Sequence, residues 1–495
     1  MAPKMLLIFC EGTSMDGNVT EPDTAAQSVR GDANADVENC EIISSPTPRG
    51  GSSTKQHPTN VLRLSRSVKS QTANGKQQIV FYQSGVASEA NFAGDQVIGT
   101  TIMRLLGTSA ASKIRDAYAF IAQNYEDGDE ICLFGFSRGA YTARKLSGLI
   151  DRIGLLTRQN LGQFFLIWRQ LVDGKTPDIP SDTRHPRIKC VGVWDTVGSV
   201  FATVDALAIT DTSLPATIDI ALHALSLQEN RQKFLPTLWT MPQGGLAPNQ
   251  TLKQVWFPGS HEDVGGGHER RELQDIALFW MAGEIKSFVE LDLDFLRSTR
   301  QQNPDPWGTS QPHNAYMETS WVGGIIYGHE TRLQSGQITT TSPFHQSLQF
   351  SPQTLTAPKY MVTTSIIQKQ FGTGYYPDYP PLNEFEEYCR TNWDKQPKHA
   401  KPPIFDDPGD VILFPVNWTP GTQGILPPSA IEGGHESNGD LLYVARAPYA
   451  GGLHPGKASS ECMYISYGGK EIIVCSLHHL NLRFVTTTVS DRWRI

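Results

Sequence analysis

The segment Gly135-Phe136-Ser137-Arg138-Gly139 holds a serine whose surroundings suit nucleophilic chemistry. It separates the apolar run "EICLFGF" from "RGAYTARKLSGLI", which has helical periodicity, so Ser137 falls at a strand–turn–helix junction. In a Gly-x-Ser-x-Gly elbow the flanking glycines allow a strained turn and close packing of the helix on the strand. The hydroxyl then points out at the helix N-terminus, and the Arg138 N–H is placed to stabilise an oxyanion. The alternative is an ordinary tight turn that contains a serine.

A serine hydroxyl needs a base, and the base needs an orienting acid. On this kind of scaffold the order is Ser, acid, His, each at the C-end of a strand. Asp195 ends the run "CVGVW" and His261 follows "QVWFPGS", which makes them the expected acid and base. Asp263 competes for the acid role and is also read as orienting the loop "EDVGGGHE"; His223, His268 and His185 are weaker candidates for the base. A second oxyanion donor is expected from "FCEGTS", at the Gly12 or Thr13 N–H, with Glu11 either shaping that loop or simply solvated. His261, Asp263, His268 and Glu269 are all metal-ligand types, but their spacing matches no helix-borne zinc motif, so no metal and no cofactor are expected.

The elements that must position these residues are an alternation of buried strands and helices. The runs 4–13, 76–85, 129–137, 188–196 and 253–261 are near-continuously apolar and end in Gly, Ser, Thr, Asp or His, as strands covered on both faces of a parallel sheet do. Helices are predicted over 112–130, 138–154 and 270–289. The fold class is therefore α/β, with a mostly parallel, α/β-hydrolase-like sheet, helices on both faces and sites at the strand C-ends. Residues 14–75 form a long polar insertion, and the aromatic-rich stretch 290–400 an extended cover or lid. A linker at 401–410 leads from this first domain, 1–400, to a small all-β domain at 411–495, where "LLYVARA", "CMYISYGG" and "EIIVCSL" read as short strands.

With 495 residues, 39% hydrophobic and 19% charged, the chain has material for a large core. A formal net charge of −8 offers no basic face to phosphate backbones, which argues against nucleic acid as a partner. Seven scattered cysteines without a Cys-x-x-Cys pair suit reduced core thiols. No secretory leader or transmembrane run is visible, so a cytoplasmic location is expected and the sequons at Asn18, Asn249 and Asn417 are read as chance matches.

Four segments, "LFGFSRGAYTARKLSGLI", "GVWDTVGSV", "ALHALSLQENRQKFLPTLW" and "VWFPGSHEDVGGGHE", together resemble the DUF2235 family, the α/β-hydrolase domain shared with Tle1-like phospholipase effectors of type VI secretion. "SPFHQSL" and "NEFEEYCRTNW" extend the resemblance, which spans roughly residues 4–400. It implies a nucleophile at Ser137, an acid at Asp195 and a base at His261. The chain departs from the family pattern at Glu11, Gln83 and Ala87, where the family has Asp, an acid and Gly. Residues 424–474 resemble the DM9 repeat, also called DUF3421, through Tyr-Val-x-Arg-Ala, Pro-Gly-Lys and Tyr-Gly-Gly-Lys-Glu. That likeness implies binding of mannose-type glycans by Glu436, or else Asp440, together with Lys457, and one visible unit is compatible with a homodimer; a β-module that only docks is the other reading.

Together these point to a serine ester hydrolase of the lipase or phospholipase A kind, taking a lipid or an acylated glycan. The alternative is a lectin-like recognition or defence protein on an inactive hydrolase scaffold.

Overall fold

The computed structural model describes residues 3–12, 57–85, 102–198, 212–319 and 327–395, and seven strands between 416 and 487. Two compact units, Met1–Ile404 and Phe405–Ile495, divide the chain.

The first unit is built on six strands: β1 (Met5–Cys10), β2 (Gln78–Gln83), β3 (Glu130–Phe136), β4 (Ile188–Trp194), β5 (Ile218–Ser226) and β6 (Thr251–Phe257). Their order is β2-β1-β3-β4-β5-β6, and every neighbouring pair is parallel. Because side chains alternate across a strand, β1 and β3 feed two cores. Leu6, Ile8, Cys10, Ile131 and Leu133 enter one core with α2 (Ile102–Asn124) and α3 (Arg138–Ile153). Met5, Leu7, Phe9, Cys132 and Phe134 enter the other, under α1 (Asn60–Ser67) and a helix at Glu272–Ile285. Burial on both faces is why these strands read as unbroken apolar runs.

Three features depart from the sequence reading. Strand β5 was not expected, because Asp219 and His223 interrupt its apolar run; Asp219 pairs with Arg187 at 2.6 Å, while His223 is fully buried. Helix α1 lies inside the stretch read as insertion. Thr59 caps it by accepting from the Leu62 N–H, and its Arg63 is buried against Asp275; residues 14–56 of that stretch lie outside the described residues. Within 290–400, Ile338, Phe344, Leu348, Val362 and Ile367 form a third core with Leu225 and Trp256. His345 N–H donates to the Trp256 carbonyl at 2.9 Å and Trp256 N–H to Pro343 at 3.1 Å, so this part of the cover bonds along β6.

The strand order reverses at β1 and β3. Open α/β sheets bind ligands at the strand C-ends beside such a switch point, here between the loops that begin at Glu11 and Ser137.

In the second unit the strands are β7 (Val416–Pro420), β8 (Glu432–His435), β9 (Leu441–Tyr449), β10 (Gly452–Ala458), β11 (Met463–Tyr467), β12 (Lys470–Val474) and β13 (Arg483–Thr487). They run β12-β11-β10-β9-β13-β7, with β8 also on β9, all antiparallel. The three strands expected there correspond to β9, β11 and β12. Among the described residues no helix is long and apolar enough to cross a membrane.

Candidate active site

Parallel register carries three residues to one edge of the sheet. Phe136 on β3 pairs with Trp194 on β4, and Trp194 with Ala224 on β5. Ser137 and Asp195 are therefore the first residues past paired positions: Ser137 N–H donates to the Trp194 carbonyl at 3.1 Å and Asp195 N–H to the Ala224 carbonyl at 2.8 Å. Both leave their strands with positive φ, 58° at Ser137 and 38° at Asp195, a conformation that non-glycine residues adopt at a cost. Ser137 then becomes the N-cap of α3 without using its side chain to cap it. The Arg138 N–H stands in the first turn of α3, where helix geometry supplies no intrahelical acceptor.

The turn requires its glycines. A Cβ at Gly139 would overlap the Cys10 and Glu11 carbonyl oxygens, so α3 meets β1 with no room for a side chain.

His261 opens a short helix, α4 (His261–Gly265), after β6. Its Nδ1 lies 2.7 Å from Asp195 Oδ2, its ring packs at 4.6 Å and a 34° tilt against Phe136, the neighbour of Ser137, and Phe234 meets it edge-on at 5.1 Å. With Nδ1 engaged by the carboxylate, Nε2 is the remaining ring nitrogen; it is buried and makes no hydrogen bond among the described residues. Asp195 is fully buried and accepts further from the Ser226 N–H at 3.1 Å, the Ser226 hydroxyl at 2.8 Å and Arg332 Nη2 at 3.1 Å. Burial pushes this carboxyl up, but the Arg332 guanidinium and the His261 hydrogen bond outweigh it and hold the group well below the usual carboxylate range.

A second ion network holds the backbone at His261. Its N–H donates to Glu229 at 3.1 Å, Glu229 pairs with Arg231 at 2.8 Å, and Arg231 reaches Glu262 at 3.0 Å while lying over the Phe234 ring. Ser226, Glu229, Arg231 and Arg332 were not singled out from the sequence. The polar run after β5, "SLQENR", carried a local signal for three of them; Arg332 carried none.

The other candidates are placed elsewhere. Asp263 does not face His261: its Oδ2 accepts from the Ser260 N–H at 2.8 Å and hydroxyl at 3.0 Å, and its Oδ1 meets His313 at 2.6 Å. His223 Nε2 accepts from the Thr196 N–H at 3.1 Å, and burial lowers its pKa to about 3, which keeps it neutral. His185 is exposed before β4, at the opposite end of the sheet, and Glu269 is exposed. Glu11 is buried and accepts from the Tyr82 hydroxyl and the Gly12 N–H, each at 3.1 Å, so it shapes its loop and occupies one expected oxyanion donor. Thr13, Ala87, Glu436 and Asp440 lie outside the described residues; Lys457 is a β10 residue in register with Val444 and Tyr464.

Residues 46–284 match the family model of the type VI secretion phospholipase effector Tle1-like catalytic domain, and residues 410–474 match the DM9 repeat. Residues 46–284 of the first unit are thus similar to a phospholipase-like catalytic domain, and the unit is built on an α/β-hydrolase-like sheet. An uncharacterized protein of Saccharomyces cerevisiae is 27% identical over 207 residues, which cover 37% of this chain and 30% of that protein. The chain therefore spans under a third of the length of this curated relative. A crystal structure of an uncharacterized protein from Pseudomonas aeruginosa aligns over 57% of this chain and 45% of that one, at 14% identity and a TM-score of 0.29, too low to establish a shared fold.

Proposed function

We propose that the first unit is a serine carboxylic ester hydrolase acting on lipid esters, phospholipids included. The observation that carries this reading is the His261 imidazole, held by buried Asp195 with Nε2 unpaired among the described residues and its ring against Phe136, the residue before Ser137. Ser137 Oγ adds to the acyl carbonyl while its proton passes to His261 Nε2. His261 returns that proton to the departing alcohol, and water then releases the acid from the acyl-enzyme by the same route. Asp195 holds the imidazolium, and the N–H groups of Arg138 and of Gly12 or Thr13 hold the oxyanion. For Gly12 to take part, its N–H must turn away from Glu11. In the second unit, Lys457 with Glu436 or Asp440 would bind sugar hydroxyls and bring the enzyme to a glycan-bearing surface or an acylated glycan. The proposed division is 1–400, a linker at 401–410 and 411–495.

One observation favours a competing reading: the engaged Gly12 N–H leaves one oxyanion donor occupied, as in a recognition protein on an inactive scaffold. The test is hydrolysis of acyl esters from short chains to diacyl phospholipids, by the wild type and by folded Ser137→Ala. Turnover present in the wild type and lost in the variant supports the enzyme. No turnover in either, with mannose-type glycan binding that Lys457→Ala abolishes, supports the recognition protein.

A further inference from the structure

We propose that Asp263, His268 and His313 form a binding site for one divalent late transition-metal ion, separate from the serine site and independent of the hydrolase reading. One donor atom from each of the three residues lies within 4.8 Å of the others. They come from three places in the chain: Asp263 from α4, His268 from the turn that follows it, and His313 from a loop 50 residues further on. Gly266 and Gly267 make the convergence: with φ of 100° and 124° they turn the chain back, so that His268 Nε2 comes to 4.0 Å from Asp263 Oδ1.

The carboxylate is arranged as a ligand. Oδ2 accepts from the Ser260 N–H, the Ser260 hydroxyl and the His313 N–H, at 2.8, 3.0 and 2.9 Å. Those three bonds fix the carboxylate plane and leave Oδ1 to face both imidazoles, the outer-shell support that ligating carboxylates receive. Among the described residues His268 Nε2 is buried and has no hydrogen-bond partner, so a donor atom aimed at this point is unsatisfied there. Both imidazoles are partly open, with side-chain exposures of 26% and 34%, which gives an ion a path in from solvent.

Two imidazoles and one carboxylate suit Zn²⁺ and its neighbours rather than Ca²⁺ or Mg²⁺, which take oxygen ligands. Three protein ligands leave a coordination position for water. The rings of His268 and His313 are stacked at 3.7 Å and only 14° from parallel, so they cannot both direct nitrogens at one ion as they stand. Ligation requires the rings to splay about their side-chain bonds while Asp263 stays in place. The sequence offers His261 and Glu269 as ligand types beside Asp263 and His268 and leads to no expected metal; in the structure the third donor beside Asp263 and His268 is His313.

The test uses the full-length chain, freed of metal by chelator. Zn²⁺ is titrated calorimetrically into the wild type, His268→Ala, His313→Ala and Ser137→Ala, and Co²⁺ absorption reports ligand geometry. Circular dichroism checks that each variant is folded; Asp263→Asn is avoided because it would also remove the α4 cap. The expected result is one Zn²⁺ per chain, weakened by more than the roughly 10- to 100-fold that loss of an outer-shell partner costs in either histidine variant, and unchanged in Ser137→Ala. The absence of stoichiometric binding by the wild type, or binding unaffected by both histidine substitutions, overturns the site. Rigid stacking that prevents splaying would appear as the first of these outcomes.

Discussion

Arg332 Nη2 and Asp195 Oδ2 are 3.1 Å apart with both side chains at 0% exposure, and the same oxygen meets His261 Nδ1 at 2.7 Å. A buried cation thus shares the carboxylate that orients the candidate base. Because breaking one side of a buried ion pair leaves a charge without compensation, Arg332→Gln is expected to cost about 3–5 kcal/mol in urea unfolding. The Arg332→Gln/Asp195→Asn double variant should lose less than the sum of the singles. The depressed Asp195 pKa adds stability above its unfolded value near ~3.9 and loses it as pH falls through the lower folded value. In Arg332→Gln that loss should begin at higher pH. Single-variant costs within 1 kcal/mol, roughly the range of a surface pair, would remove Arg332 from this role.

Ser137→Gly separates strain from chemistry. At φ 58° and ψ −120° a serine is strained and a glycine is not. Relief of about 1–3 kcal/mol exceeds the roughly 0.4–1 kcal/mol lost to the freer unfolded chain, so the variant should unfold about 1 kcal/mol later while losing ester turnover. A destabilised Ser137→Gly would mean that the hydroxyl is structural.

Gly139→Ala should act through backbone overlap. Its Cβ would meet the carbonyl oxygens of Cys10 and Glu11, which have no rotamer by which to yield. A loss of about 3 kcal/mol or more in thermal unfolding is expected, against a gain of roughly 0.4–1 kcal/mol for Gly148→Ala, which lies inside α3 and meets nothing within 4 Å.

The pair formed by Asp263 and His313 has its own pH window in the chelator-treated protein. The Asp263 hydrogen bond raises His313 to about 8. This contribution is full below the unfolded histidine value near ~6.5 and fades as pH rises through about 8. For Asp263, burial pushes the carboxyl up but the His313 hydrogen bond prevails and lowers it to about 2. That contribution is full above ~3.9 and fades as pH falls through about 2. The difference in melting temperature between wild type and His313→Gln should therefore be largest near pH 4–6.5 and shrink toward pH 9 (roughly, from those reference values). A difference that does not vary with pH would show that the pair does not titrate as a unit.

Several elements were legible because their signals are local. The apolar runs at β1, β3, β4 and β6 stand out since a parallel strand covered on both faces needs no polar residue until it reaches the sheet edge. The helix over 138–154 follows from its apolar stripe. Strand β5 was hidden by Asp219 and His223, whose burial or pairing depends on Arg187, Gln254 and Thr196 from other parts of the chain. Helix α1 was hidden because its Asn60 and Arg63 read as polar surface, although both are buried against Val264, Gln274, Asp275 and Thr299.

What the chain by itself determined is which residues leave strand ends carrying reactive groups. Ser137, Asp195 and His261 each follow a short apolar run that reads as a buried strand, and the glycines around Ser137 announce the turn. The tertiary structure decided which acid faces which histidine. Asp195 and Asp263 were both eligible from the sequence, and they part because parallel register lines β4 up with β5 and β5 with β6, bringing Asp195 to His261 across 66 residues, while the cap of α4 turns Asp263 toward His313. Arg332 joins Asp195 from 137 residues away and leaves no mark in its local sequence, since a buried ion pair is made by packing between elements rather than by the periodicity of either one.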